Sequence, residues 1–233
     1  MANTIQIPDG TILIGKSSKP EVLTLKLANR HGLITGATGT GKTVTLQTLA
    51  EAFAEEGVPV FAADIKGDLS GIAAEGRGEP HFVKRCQEMG LDYHAQKFSV
   101  VFWDLFGEQG HPIRTTVSEM GPLLLSRLLQ LNEVQEGVLN ILFKYADEHK
   151  LLLLDLKDLR AMLAEFGSNK ELQQELQATY GNISPQSVGA IQRQLLVLEN
   201  QGGAKFFGEP ALDIRDFLKT DRDRRGVINI LAA

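Results

Sequence analysis

Eight residues, Gly36-Ala37-Thr38-Gly39-Thr40-Gly41-Lys42-Thr43, follow the spacing G-x-x-x-x-G-K-[ST]. They stand between an apolar run at His31 to Thr35 and a helix-like run at Val44 to Glu56. No other stretch constrains the fold as tightly, because this spacing has its characteristic use where a strand turns sharply into a helix. A triphosphate concentrates negative charge and needs many N–H donors converging on one point. A glycine-permitted loop opening into a helix N-terminus presents them. On this reading Lys42 reaches the β- and γ-phosphates and acts catalytically, and the Thr43 hydroxyl joins a magnesium shell. The backbone N–H groups from Thr38 to Thr43 cradle the β-phosphate, within a cofactor-binding segment that runs from Gly36 to Val44. The plain alternative is a glycine-rich turn with no ligand.

The pattern around this loop predicts an α/β protein. Residues 1–30 read as a small β appendage, with apolar Ile5, Ile7, Ile12 and Ile14, a turn at Pro8-Asp9-Gly10, and alternation over Val22 to Leu27. Residues 31–113 read as the first part of the core. A strand is expected at His31 to Thr35, a helix at Lys42 to Glu56 stopped by Gly57, and a strand at Val58 to Ala63, forming one βαβ unit. A helix over His81 to Met89 and a strand over Ser99 to Trp103 follow. Residues 114–220 read as helical. Asn132 with Gln135 and Asp155 with Asp158 have the spacing of capping boxes, and Ser184-Pro185 opens a helix whose apolar face is Val188, Ile191, Leu195 and Leu198. A segment that long is a subdomain, a lid or an interaction surface, and not a connection. Residues 221–233 return to the core with a strand over Gly226 to Leu231.

Two apolar runs end in aspartate, Val58 to Asp64 and Ser99 to Asp104. Strand carboxyl ends face the ligand crevice in such sheets, so Asp64 is a candidate catalytic carboxylate and Asp104 a second. Each is equally the kind of residue that starts a turn or caps a helix, and Asp68 reads as a turn residue.

Composition narrows the setting. The chain has 233 residues, 43% hydrophobic and 23% charged, with a formal net charge of -5. No apolar run approaches a membrane span, and the N-terminus has no signal-like core, so a cytoplasmic protein without a membrane partner is expected. The negative charge argues against a surface coated for nucleic acid, though not against a narrow basic channel. A single cysteine, Cys86, rules out an internal disulfide, and the spacing of His81, Cys86 and His94 matches no recognised metal site.

His31 to Thr43 together with Asp64-Ile65-Lys66-Gly67-Asp68-Leu69-Ser70-Gly71 resembles the HerA/FtsK superfamily of ring-shaped ATPases. Phe102 to Gly107, Gly110 to Thr116, Ile191-Gln192-Arg193 and Phe206 to Pro210 resemble, more narrowly, the YjgR group of HerA-like ATPases. The likeness implies a P-loop NTPase of RecA/HerA-like fold, with a mostly parallel sheet, a large helical insertion and a small N-terminal β appendage. It also implies ATP and Mg2+ as cofactors, DNA as a partner, and a homo-oligomer, a hexameric ring in the full-length protein. Members of the family continue past the strand equivalent to Gly226 to Leu231, to a magnesium-binding Asp, a catalytic Glu and a trans-acting arginine. The chain therefore reads as an N-terminal portion, with Asp64 and Asp104 accessory and turnover slow. Two other readings stay open. One is a P-loop kinase or transferase whose acceptor pocket would use Arg77, Lys84, Arg85 and Arg114. The other is a nucleotide-gated interaction protein without turnover.

Overall fold

The computed structural model describes residues 6–232, so Ile5 lies outside the described residues. The chain divides into two compact units. One comprises the residues up to Asp104, Gln109–His111 and those from Asp213 onward; the other comprises Leu105–Glu108 and Pro112–Leu212.

In the first unit the turn at Pro8-Asp9-Gly10 forms, with Gly10 at φ 70° and the Thr11 hydroxyl donating to the Pro8 carbonyl at 2.6 Å. It opens an antiparallel hairpin of β1 (Thr11–Lys16) and β2 (Pro20–Thr24). The hairpin packs beside α1 (Lys42–Glu55) and buries Ile12. Glu56 and a left-handed Gly57 end α1, where no further helical turn can follow without strain.

Four strands make the main sheet: β3 (Val60–Asp64), β4 (Val100–Asp104), the two-residue β5 (His111–Pro112) and β6 (Ile228–Ala232), in the order β3-β6-β4-β5. Strand β6 is central and runs parallel to both neighbours, with Ile228 opposite Val60 and Val100. A shared register puts Ile228, Ile230 and their partners Val60, Ala62, Val100 and Phe102 on one face. That face packs on Ala50 and Ala54 of α1 and on Leu69, Ile72 and Phe98. Helix α2 (Pro80–Met89) begins at its proline and stops at a left-handed Gly90, and it buries no residue.

The opposite face carries Asn229, fully buried. Its side-chain carbonyl accepts the Trp103 indole N–H at 2.9 Å, and its amide nitrogen lies 3.2 Å from the Val60 and Phe217 carbonyls and 3.3 Å from that of Val227. Phe217, on a 3-10 turn over Ile214–Leu218, stands 4.9 Å from the Phe61 ring and edge-on at 5.1 Å to Trp103. Asp213 caps that turn, and the hydrogen bond from Arg215 holds its carboxyl down at about 2.

One expectation fails. His31 to Thr35 is not a strand, and the βαβ unit that would begin there is absent. The segment holds only Leu33 and Ile34 as apolar residues, and Leu33 is 87% exposed. The pairing side of β3 is taken by β6, and no strand among the described residues lies on its other side. Two adjacent apolar residues give neither the length nor the alternation of a strand, and the segment leaves the outer edge of β3 unpaired.

The second unit is helical: α3 (Val117–Leu128), α4 (Glu133–Glu148), α5 (Leu156–Ser168), α6 (Lys170–Tyr180), α7 (Pro185–Asn200) and the short α8 (Gly203–Phe206). Both expected capping boxes form, Asn132 with Gln135 and Asp155 with Asp158, and a third joins Thr116 to Glu119. Gly121, at φ 71° and ψ 166° before Pro122, breaks α3. Val188, Ile191 and Leu195 of α7 enter one core with Leu139 and Leu142 of α4 and Leu159, Leu163 and Phe166 of α5, while Leu198 packs at its border. No helix among the described residues is long and apolar enough to cross a membrane.

Candidate functional site

The loop from Gly36 to Gly41 rises from an irregular segment into the first turn of α1. Gly39 and Gly41 sit at φ 79° and 90°, a region that glycine enters without strain. Gly36 is crowded: a Cβ there would collide with the Thr40 hydroxyl. That hydroxyl donates to the Ala37 carbonyl at 2.8 Å and closes the loop.

Helix α1 has no side-chain N-cap. Its first intrahelical bond runs from the Thr45 N–H to the Gly41 carbonyl at 2.9 Å, so the N–H groups of Lys42, Thr43 and Val44 have no carbonyl a turn behind them. Three convergent donors with the positive end of a helix dipole behind them form an anion site. The Lys42 ammonium folds over the same loop, 2.8 Å from the Gly36 carbonyl and 2.6 Å from that of Ala37. Residues 36–40 are exposed and Lys42 and Thr43 half-buried, so a ligand has open access. This chemistry fits a polyphosphate, with a hydroxyl at Thr43 available to a metal.

Helix α1 also orients the site relative to the sheet. Its C-terminal end sits at the start of the strands, where the Ala54 carbonyl accepts the Gly226 N–H at 2.8 Å and the Phe53 carbonyl that of Val58 at 3.0 Å. Its N-terminal end therefore points toward the strands' carboxyl edge. Gln47 confirms the direction: its amide donates to the Asp68 carbonyl at 2.9 Å, in the loop that leaves β3. Gln47 stands five residues past Lys42, roughly 7–8 Å along the axis, so the loop after β3 lies near the glycine-rich loop.

Asp64 and Asp104 close β3 and β4 at that edge, both opposite Ala232 of β6. Two strand spacings separate them, roughly 10 Å between backbones, and equal register aims both to the α1 side. Asp64 is 9% exposed, and its two oxygens accept the N–H groups of Lys66 at 3.2 Å, Gly67 at 2.9 Å and Leu69 at 2.8 Å. Asp104 accepts the Gln109 N–H at 2.7 Å. Each carboxylate thus builds the turn that follows its strand, in the manner of an Asx turn.

Other candidates disperse. Arg85 lies 3.8 Å from Glu88 along α2, and Arg114, in the second unit, donates to the Glu209 carbonyl at 2.9 Å. No group of three or more metal-ligating side chains occurs among the described residues. Glu51, on α1 beside a cavity with Tyr93 and His94, is held above the usual carboxylate range by burial and by the nearby Glu55. Sequence reasoning missed Gln47 and Asn229. Gln47 sits between Thr45-Leu46 and Thr48 in α1 and gives no local signal, whereas Asn229 is a lone polar residue in a strand otherwise apolar from Val227 to Ala232, and that break is the available signal.

Residues 10–233 match the family described as helicase HerA-like C-terminal. No curated protein and no solved structure matches the chain.

Proposed function

Because the chain belongs to the helicase HerA-like C-terminal family, we propose that it is an ATP-binding and ATP-hydrolysing module of a HerA-like nucleic-acid translocase, of the YjgR-like group. The observation that carries this reading is the set of partnerless N–H groups at Lys42, Thr43 and Val44 with the Lys42 ammonium folded beside them.

In this role the loop amides from Thr38 to Val44 bind and orient the phosphates. Lys42 leaves the Gly36 and Ala37 carbonyls for the β- and γ-phosphate oxygens, where charge builds during phosphoryl transfer. The Thr43 hydroxyl would be the protein's ligand to Mg2+, which would supply charge neutralisation on the phosphate oxygens. Asp64 holds the loop after β3 beside the phosphates and so acts as an accessory group. With its oxygens on three backbone N–H groups, it is poorly placed to activate water. DNA and a ring of identical subunits are the partners we assign, and in that ring a neighbour's arginine would complete the site. Alone, the chain turns ATP over slowly.

The test is equilibrium binding of a fluorescent ATP analogue with Mg2+, together with phosphate release with and without DNA. Lys42→Ala removes one charge-assisted contact of about 1.5–3 kcal/mol, a weakening of roughly 10- to 100-fold, with an unchanged circular dichroism spectrum. Release near background is expected from the parent chain. Equal affinity in parent and variant would overturn the role given to Lys42. Brisk Lys42-dependent release would show that Asp64 or Asp104 is the working base.

A further inference from the structure

The helical unit contains an open apolar cavity of about 570 Å³ between α5, α6 and the segment before α5. Its floor is Tyr145, Leu153, Met162, Phe166 and Leu172. Its lip is Leu151-Leu152, where Leu152 is 72% exposed. This lip is anchored on both sides: the Leu151 N–H donates to the Ala146 carbonyl at 2.8 Å, and the Leu153 carbonyl accepts the Ser118 N–H at 2.9 Å. Leu152 is thus presented to solvent by ordered backbone.

The rest of the rim is acidic. The lining includes Asp158, Glu165, Glu171 and Glu175, and no Lys, Arg or His. Asp158 is engaged by its capping box, accepting the N–H groups of Leu154 and Asp155. Glu165, Glu171 and Glu175 are exposed, and none has an ion-pair partner among the described residues. Glu171, in the first turn of α6, and Glu175 lie one helical turn apart, a spacing at which like charges are unfavourable. The neighbouring Lys144 is tied to Glu148 at 2.7 Å.

We propose that this groove docks a basic amphipathic helix of a partner protein, with an apolar side chain on the floor and lysines or arginines on Glu165, Glu171 and Glu175. Apolar anchors flanked by complementary charge are how such helices are read. The rim's sign turns away the other occupants. Nucleic acid and anionic lipid would be repelled by three exposed carboxylates, and a second copy meeting this face by two-fold symmetry would set the same carboxylates against each other.

The experiment titrates the full chain into a fluorescein-labelled helical peptide of leucine and lysine whose leucines share one face, read by anisotropy. Two control peptides accompany it: one of the same composition with the face scrambled, and one with glutamate for lysine. Binding of the first alone is expected, weakening as salt rises. Both Leu152→Ser and the combined Glu165→Gln, Glu171→Gln, Glu175→Gln variant should lose about tenfold or more in affinity, as rim-plus-anchor contacts do. Equal binding of the scrambled peptide, or no loss in either variant, would overturn the proposal. So would failure of the amphipathic peptide to bind, including the case in which sedimentation shows a dimer abolished by Leu152→Ser.

Discussion

Asn229 is a fully buried amide in the central strand of the sheet, held by one indole donor and three carbonyls. Burying an amide is tolerable only when its hydrogen bonds are made, and here they also fix where Trp103 and Phe217 lie. Asn229→Ala strands the Trp103 N–H and should cost about 1–3 kcal/mol. The urea midpoint measures it, and an unchanged midpoint would mean that water reaches the indole. The same logic explains what the sequence could show of the site. Gly36, Gly39, Gly41, Lys42 and Thr43 were readable because loop geometry is local and demands those residue types. The sequence does not separate the turn-building work of Asp64 from a catalytic role, because its three N–H partners are on nearby residues whose backbone direction no spacing reveals. Gln47 acts through a residue 21 positions away, which no local pattern contains.

Elements with local signals were readable and those needing a partner were not. The boxes at Asn132 and Asp155 announce helices because cap and third residue satisfy each other's backbone within one turn. Asp155 does so fully: it accepts the N–H groups of Lys157 at 2.7 Å and Asp158 at 3.2 Å. Asp155→Ala should therefore destabilise the helical unit by about 0.5–2 kcal/mol, a fall visible in thermal unfolding followed at 222 nm. If stability is unchanged, Asp158 alone sustains the start of α5. The break in α3 had a signal too, the Gly121-Pro122 pair, since a glycine before proline marks a turn. His31 to Thr35 has too short an apolar pattern to make a strand even beside the open edge of β3, and the place of β6 between β3 and β4 follows from pairing that composition does not express.

At the scale of the whole molecule, the sheet depends on its last strand. Both ladders of the parallel core run through β6, so deleting residues 226–233 leaves β3 and β4 without a shared neighbour. The deletion should unfold the first unit while the helical unit, whose core lies within residues 117–207, keeps its helicity. Limited proteolysis with far-ultraviolet circular dichroism would show a protease-resistant helical fragment. A resistant first unit would mean that α1 and the hairpin hold it without the sheet. The order in which the chain is made adds a consequence. Val60 meets Ile228, a partner synthesised 168 residues later (228 minus 60). At common rates of translation that interval is roughly 8 to 34 s. For that time α3 to α7 emerge and can fold, while the nascent β3 waits with open edges and β4 waits for the 128 residues from Val100 to Ile228 (228 minus 100), so chaperone demand during synthesis should fall on the segment made before the helical unit.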